Sequence, residues 1–348
     1  MGGCNMQKKL GPGNLLDKNG FLEEVGYATS LIKEYHRKDI KAHPLRIKEW
    51  DYYLIYNNDI GIALTLADNS YMGLAGISFL DFQKRTSPTK NLIFLFPMGR
   101  TGLPSSSKKG NVAFENKKIS LSFENTGQKR ILKANMDNFY NNKPFKARVN
   151  LKDEPEESMV IATPFPENKK AFYYNQKILG MSAEGEIEFN GKKYVFSPEN
   201  SLGLLDWGRG VWTYDNTWYW GAAHGFYEGK ILGFNIGYGF GDTSAATENM
   251  LFFDGRAHKI NDVTFHIPRD ENNREDYLKP WTFSSSDNRL EMDFIPIIDR
   301  ASYTSLGLIL SDQHQVFGFF NGKMVLDDGT EIKVRDLLGF AEKVRNKW

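Results

Sequence analysis

The chain has 348 residues, enough for two units of ordinary size that each bury a core. A formal net charge of +1 removes bulk charge as a driver of binding to nucleic acid or anionic lipid. Hydrophobic (41%) and charged (25%) contents are ordinary for a soluble protein, while the 14% aromatic content favours strands.

Cys4 is the only cysteine, so no intrachain disulfide forms, and the chain has no Asn-x-Ser/Thr acceptor site. The N-terminus carries no apolar signal core, and Met1–Met6 misses the myristoylation pattern because position 6 is not Ser or Thr. No apolar run approaches the length of a membrane span. These features set the expectation of a cytoplasmic protein with no membrane span.

Residues 1–24 read as an irregular lead-in with turn signals at Gly11-Pro12-Gly13 and Asn19-Gly20. Strands are predicted over 50–56, 61–66, 74–82, 92–96, 119–123, 130–135, 145–151 and 159–163. The second half continues with 186–189, 193–196, 218–224, 231–240, 249–253, 263–267, 290–295, 316–320 and 323–326. Asn190-Gly191, Asp254-Gly255, Asn321-Gly322 and Asp328-Gly329 punctuate them as hairpin turns. Residues 105–110, 153–157 and 270–276 read as exposed loops. Only 334–344 shows helical spacing. Regularly spaced strands without long amphipathic helices predict an all-β protein of antiparallel barrels.

A weak internal repeat predicts two barrels. Trp50-Asp51-Tyr52-Tyr53 resembles Trp218-Tyr219-Trp220, and Gly61 and Gly229 follow the first tryptophan of each at the same interval. The expected division is 1–180 for an N-terminal barrel and 181–348 for a C-terminal one carrying the Asp-Trp-Gly-Arg-Gly motif, placed to within about 25 residues.

Residues 204–249 concentrate the unusual composition, with four of the seven tryptophans between Trp207 and Trp220. A two-residue turn at Glu228-Gly229 pairs Tyr227 with Lys230. That register sets Ala223 opposite Phe234, Gly221 opposite Ile236, Tyr219 opposite Tyr238, Trp220 opposite Gly237, Trp218 opposite Gly239, Ala222 opposite Asn235 and His224 opposite Gly233. Large residues then meet small ones on both faces, so both faces are expected to be buried. The tryptophan face carries the polar atoms of Asn235 and His224 and is the expected pocket wall.

Asp206 and Arg209 lie three apart, on opposite faces of a straight strand. A bend at Gly208 or Gly210 would bring them together, either as a buried structural pair or as a ligand-facing acid with its positioning arginine. Asp242 and Glu248 are reserve carboxylates, and the segment from Asp242 to Asn249 otherwise reads as a polar turn. Gly237-x-Gly239-x-Gly241 lies in a strand and is no dinucleotide fingerprint. His224 has no histidine at metal-ligand spacing. No metal site, cofactor motif, nucleophile elbow or phosphate loop is found.

Leu204-Leu205-Asp206-Trp207-Gly208-Arg209-Gly210-Val211-Trp212 resembles the signature of domain of unknown function 2804. Further matches are Glu49-Trp50-Asp51-Tyr52-Tyr53, Trp218-x-Trp220-Gly221, Gly237-Tyr238-Gly239-Phe240-Gly241-Asp242, Thr247-Glu248-Asn249, Pro280-Trp281 and Gly339-Phe340-Ala341-Glu342. More distantly the pattern is similar to lipocalin-like tandem-barrel proteins: the AttH-like family, the carotenoid 1,2-hydratases and tocopherol cyclase. The resemblance implies two calycin-type barrels side by side and protonation chemistry on isoprenoid-like molecules. Asp206 takes the position of the hydratases' acid, and Trp207 stands where they have histidine.

The expected function is binding of a hydrophobic small molecule, isoprenoid- or lipid-like, with acid-catalysed hydration, cyclisation or isomerisation. Asp206 and Arg209 are the expected catalytic pair. Trp207, Trp212, Trp218, Trp220, His224, Asn235 and Asn249 are the expected ligand contacts. The alternative is a non-enzymatic joint between barrels, or a carbohydrate-binding face built on exposed tryptophans.

Overall fold

The fold is that of a computed structural model describing residues 7–348, so Cys4 and the Met1–Met6 pattern lie outside the described residues. It is all-β, with two short 3-10 turns at Arg37–Asp39 and Pro44–Arg46. Two large antiparallel sheets curl into tandem barrels. The first runs in the order Thr89–Leu95, Met72–Asp81, Ile60–Asp68, Ile47–Tyr56, Leu202–Val211, Asn168–Phe189, Lys143–Lys152, Arg130–Tyr140, Ser120–Asn125, Gly110–Glu115. Its two edges approach each other where Phe94 stacks on Phe114 at 4.3 Å. The second runs Arg256–Lys259, Met250–Phe253, Lys230–Tyr238, Asp215–Tyr227, Glu331–Lys347, Ile309–Val325, Leu290–Leu306, Trp281–Ser285, Val263–His266. It curls until Phe265 meets Tyr238 edge-on.

The motif strand Leu202–Val211 is buried at every position. It lies between Ile47–Tyr56 and Asn168–Phe189 in the first sheet, so the chain passes from the first large sheet to the second between Val211 and Asp215. The expected division at residue 180 places this strand in the second barrel, whereas it belongs to the first sheet. Strand patterns reveal local extension, whereas membership of a sheet is set by pairing partners, here Asn168–Phe189 and the remote Ile47–Tyr56. Residue 180 instead falls inside the strand Asn168–Phe189, where Gly180 has φ +86° and the register slips. One half of that strand pairs with Met159–Phe165, the other with Lys143–Lys152.

The segment 334–344, read as helical, is part of the strand Glu331–Lys347. It is the middle strand of its sheet, and Leu337, Leu338, Phe340 and Ala341 bury both of its faces. Burial on both sides erases the two-residue alternation that marks a strand.

The hairpin register holds from Tyr219↔Tyr238 to Tyr227↔Lys230. Its turn residues Glu228 (φ 50°) and Gly229 (φ 78°) are both left-handed, as a type I′ turn demands. The interior of the second barrel is one core, built from residues such as Phe234, Trp281, Phe283 and Phe320. The outer face of this sheet, with Trp220, Phe317 and Phe340, joins the core of the first unit. Each buried Phe in that layer contributes roughly 1.5–3 kcal/mol. The same layer holds the polar cluster described next.

Candidate functional site

Asp206 faces the second sheet. Its cross-strand neighbours are Tyr52 and Lys177. The Lys177 ammonium lies 3.2 Å from Asp206 Oδ1, which also accepts from Asn175 Nδ2 at 2.6 Å. Asp206 Oδ2 accepts from Trp50 Nε1 at 3.1 Å. That last bond depends on glycine, because the Trp50 ring lies across Gly208 and a Cβ there would come within 2.0 Å of it.

Glu342 repeats this arrangement in the second sheet. Its cross-strand neighbours are Trp220 and Gln315. Trp218 Nε1 donates to Glu342 Oε1 at 3.1 Å, and Gln315 Nε2 donates to Oε2 at 2.9 Å. In each sheet a tryptophan two residues before an aromatic reaches diagonally to a carboxylate on the strand that comes last in the chain. Asp206 and Glu342 are thus equivalent positions, with Lys177 matched by Gln315. The halves meet where Tyr52 packs edge-on to Trp220, 6.2 Å between centroids. Tyr52 also donates to Gln315 Oε1 at 3.3 Å, while Lys177 sits 3.7 Å over the Trp220 ring.

A third carboxylate completes the cluster. Trp220 Nε1 donates to Asn235 Oδ1 at 2.8 Å, and Asn235 Nδ2 donates to Glu248 Oε2 at 3.3 Å. Gly237 makes room, since a Cβ on it would meet Glu248 Oε1 at 2.6 Å. Asp206, Glu248 and Glu342 are 7%, 8% and 7% exposed, so water screens none of them well. Burial raises Glu248, against Lys177 and Asn235. Burial pushes Glu342 up to about 7, against the hydrogen bonds from Trp218 and Gln315. Burial and all three carboxylates raise the Tyr173 phenol. Glu342 therefore exchanges a proton near neutral pH inside an aromatic shell.

The other sequence-predicted residues scatter. The strand Leu202–Val211 is unbroken against Ile47–Tyr56, so no bulge brings Arg209 to Asp206. Arg209 points into the first barrel, pairs with Asp51 at 3.0 Å and stacks over Trp207. Trp207 packs there between Tyr35 and Tyr174, remote from the acid face. Trp212, at the change of sheet, lies edge-on to both Trp50 and Trp218. His224 is four residues along from Trp220; burial pulls its pKa to about 3, so it is neutral. Asn249 accepts from Gly237 N at 2.7 Å and ties down a loop. Asp242 accepts from Ser244 N in a turn. Trp218, Trp220, Asn235 and Glu248 do join Asp206.

Sequence reasoning missed Lys177, Glu342, Gln315, Tyr173 and Asn175. Lys177 had a signal, as the lone charge in the otherwise uncharged stretch from Ala171 to Ala183. Glu342 ends the Gly339-Phe340-Ala341-Glu342 match, in a segment whose spacing imitates a helix. Among the described residues no group of His, Cys, Asp and Glu is set to hold a metal. No tryptophan is exposed enough to offer a flat sugar-stacking face. No helix among the described residues is long and apolar enough to cross a membrane.

The cluster is buried from solvent. A concavity of about 570 Å³ is an open ionic groove on the second barrel around Glu291, Lys323 and Lys333, and it meets none of this chemistry. A second, of about 390 Å³, opens at the end of the inter-barrel layer beside Arg46 and Trp348.

The fold and this layer define a tandem β-barrel protein with paired acids buried between its barrels. The chain belongs to the family described as domain of unknown function (DUF2804), which it matches over residues 6–348. No curated protein sequence matches it. Its fold is similar to that of a Nitrosomonas europaea protein assigned to AttH, with 13% identity, TM-score 0.54, and 89% of this chain and 96% of that one covered. Kievitone hydratase from Nectria haematococca is similar at 11% identity and TM-score 0.50, covering 86% and 88%. So is CghA, in a structure with Sch210972, at 11% identity and TM-score 0.53, covering 96% and 97%.

Proposed function

We propose that the inter-barrel cluster is an acid–base site for an apolar, alkene-bearing small molecule, isoprenoid- or lipid-like, in a cytoplasmic protein. The observation that carries this reading is the unequal repeat. The same carboxylate position occurs twice, once beside Lys177 and once beside neutral Gln315, which separates the acid roles. Glu342 is the proton donor. Asp206, the expected acid, becomes the positioning carboxylate that holds Lys177 against Trp220.

The Glu342 O–H proton passes to one alkene carbon, and the π pair becomes the new C–H bond. The neighbouring carbon takes the positive charge, faced by Trp218, Trp220 and Tyr173. Capture by water or by a hydroxyl of the substrate gives hydration or cyclisation, and loss of an adjacent proton gives isomerisation. Each route returns one proton to Glu342. Substrate entry moves the rings that now close the cluster. One similar fold bears the name of a hydratase and another was solved with a small molecule, which supports the reading at the level of fold.

The test incubates the full chain in D₂O with farnesol and with a prenylated phenol, and reads deuterium at carbon by mass spectrometry. One deuteron per turnover is expected, lost in Glu342→Gln while its unfolding transition remains cooperative. The burial of the cluster supports a second reading, a purely structural joint. No exchange and no binding by the wild-type chain would favour that joint.

A further inference from the structure

We propose that one end of the inter-barrel layer docks on a lipid bilayer, inserting apolar tips from both barrels among the headgroups. The face goes beyond the acid–base reading and stands without it. Among the described residues fourteen large hydrophobic side chains are exposed, and nine of them belong to four segments that meet at this end: 45, 93–98, 214 and 303–308. Phe96 N donates to Tyr71 O at 2.9 Å, and Tyr71 shares one concavity with Leu45, Tyr214 and Leu308. The Tyr214 hydroxyl donates to Leu308 O, which ties the first tip of this group to the second. Leu95, Leu306 and Leu308 are 72%, 74% and 81% exposed. Exposed apolar side chains scattered singly are normal, whereas a cluster of them marks a contact surface.

Shape and charge both favour a bilayer as the occupant. The apolar side chains crown two separate tips. One follows the edge strand Thr89–Leu95, where Phe96 and Met98 stand at φ 51° and 52° and Arg100 donates to the Phe96 carbonyl. The other is the turn after Leu306, where every residue from Ala301 to Leu308 is exposed. A folded partner must match such a surface at the packing density of a protein interior, whereas a fluid bilayer fits around separate tips. Tyr303, 68% exposed beside the second tip, is the amphipathic ring that settles at headgroup level. Between Asp81 and Glu115 the chain has six Lys or Arg and no acid, and between Asp299 and Asp312 it has Arg300 and no acid. Neither tip therefore carries a carboxylate into the interface, and Arg100 sits at the first tip to meet phosphate. Arg46 takes no part, since the Trp348 oxygen already engages it at 2.6 Å. The net charge of +1 conceals this local imbalance.

The test sediments the full chain with vesicles of phosphatidylcholine, and of phosphatidylcholine mixed with phosphatidylserine. Binding to both is expected, tighter by about tenfold with phosphatidylserine at low salt. Leu306→Ser combined with Leu308→Ser weakens binding to both vesicles by at least about tenfold, as does Phe96→Ser, while urea unfolding stays cooperative. Phe226→Ser, at a side chain 46% exposed outside the four segments, leaves binding unchanged. Glu342→Gln also binds as the wild type does, so failure of the acid–base reading is seen separately. Sedimentation velocity without lipid reads whether a second copy takes the face instead. No binding to either vesicle, binding untouched by the leucine pair, or self-association abolished by those variants in place of vesicle binding would overturn the proposal.

Discussion

Tyr56 and His224 lie face to face, ring centroids 4.5 Å apart and planes 7° from parallel, and they hold the same position in the two sheets. The alignment that matches Trp50 to Trp218 and Tyr52 to Trp220 also matches these two. The Tyr56 side chain is tied to the His224 backbone as well, with His224 N donating to Tyr56 Oη at 3.0 Å. The short sequence repeat is thus a repeat of structure. It turns the layer between the barrels into a pair of similar half-sites whose differences carry information.

Stability should depend on pH through Glu342. Its carboxyl has an ordinary value of 4.5 and sits at about 7 in the folded protein. The folded state therefore holds the proton more tightly, and stability falls as pH rises from about 4.5 to 7. The loss is on the order of 3 kcal/mol. Urea midpoints at pH 5 and pH 8 should show this difference in the wild type and a smaller one in Glu342→Gln.

Gln315→Lys makes the second half-site like the first. A cation beside Glu342 favours the carboxylate and lowers its pKa. The acidic form is then scarce at neutral pH. Deuterium incorporation should peak at lower pH in this variant, and an unchanged pH profile would contradict Glu342 as the donor.

Gly208→Ala should cost about 1–3 kcal/mol by overpacking. The added methyl meets the Trp50 ring, which must move and release its bond to Asp206. Equilibrium denaturation measures the cost, and a shift in tryptophan emission reports the displaced ring.

His314 stands apart from the cluster, with Nδ1 2.8 Å from Asp299 Oδ2 and its ring stacked on Tyr277. Burial lowers its pKa, but Asp299 and Asp312 more than offset this, and the net shift is upward. This histidine contributes stability that is fully present below its unfolded pKa of about 6.5 and is lost as pH rises through the folded value. Titration of its ring protons by NMR should show the raised value, and Asp299→Asn should bring it down.

Glu228 adopts φ 50° in the hairpin turn. Asparagine tolerates that conformation better, so Glu228→Asn should stabilise by about 0.5–1 kcal/mol in thermal or urea unfolding.

The all-β class, the Asp/Asn-Gly turns and the register around Glu228-Gly229 were legible because each depends on a few consecutive residues. The partner of Asp206 was not. Asp206 and Arg209 are neighbours in sequence, yet an unbroken strand turns them to opposite faces, and each takes a partner from elsewhere: Lys177 for one, Asp51 for the other. Glu342 was hidden for a different reason. Its strand is covered on both sides, and its hydrophobic spacing imitates a helix.

In each large sheet the strand that comes last in the chain is inserted beside one made much earlier. Leu202–Val211 joins Ile47–Tyr56 only after more than a hundred intervening residues, and Glu331–Lys347 does the same for Asp215–Tyr227. Such distant pairings make for slow folding and leave an open edge while the chain grows. Asp206 and Glu342 ride on those two inserted strands. The buried polar layer that joins the two sheets is therefore complete only when both strands have paired, and a chain caught part-way through synthesis or refolding leaves these two carboxylates open to water.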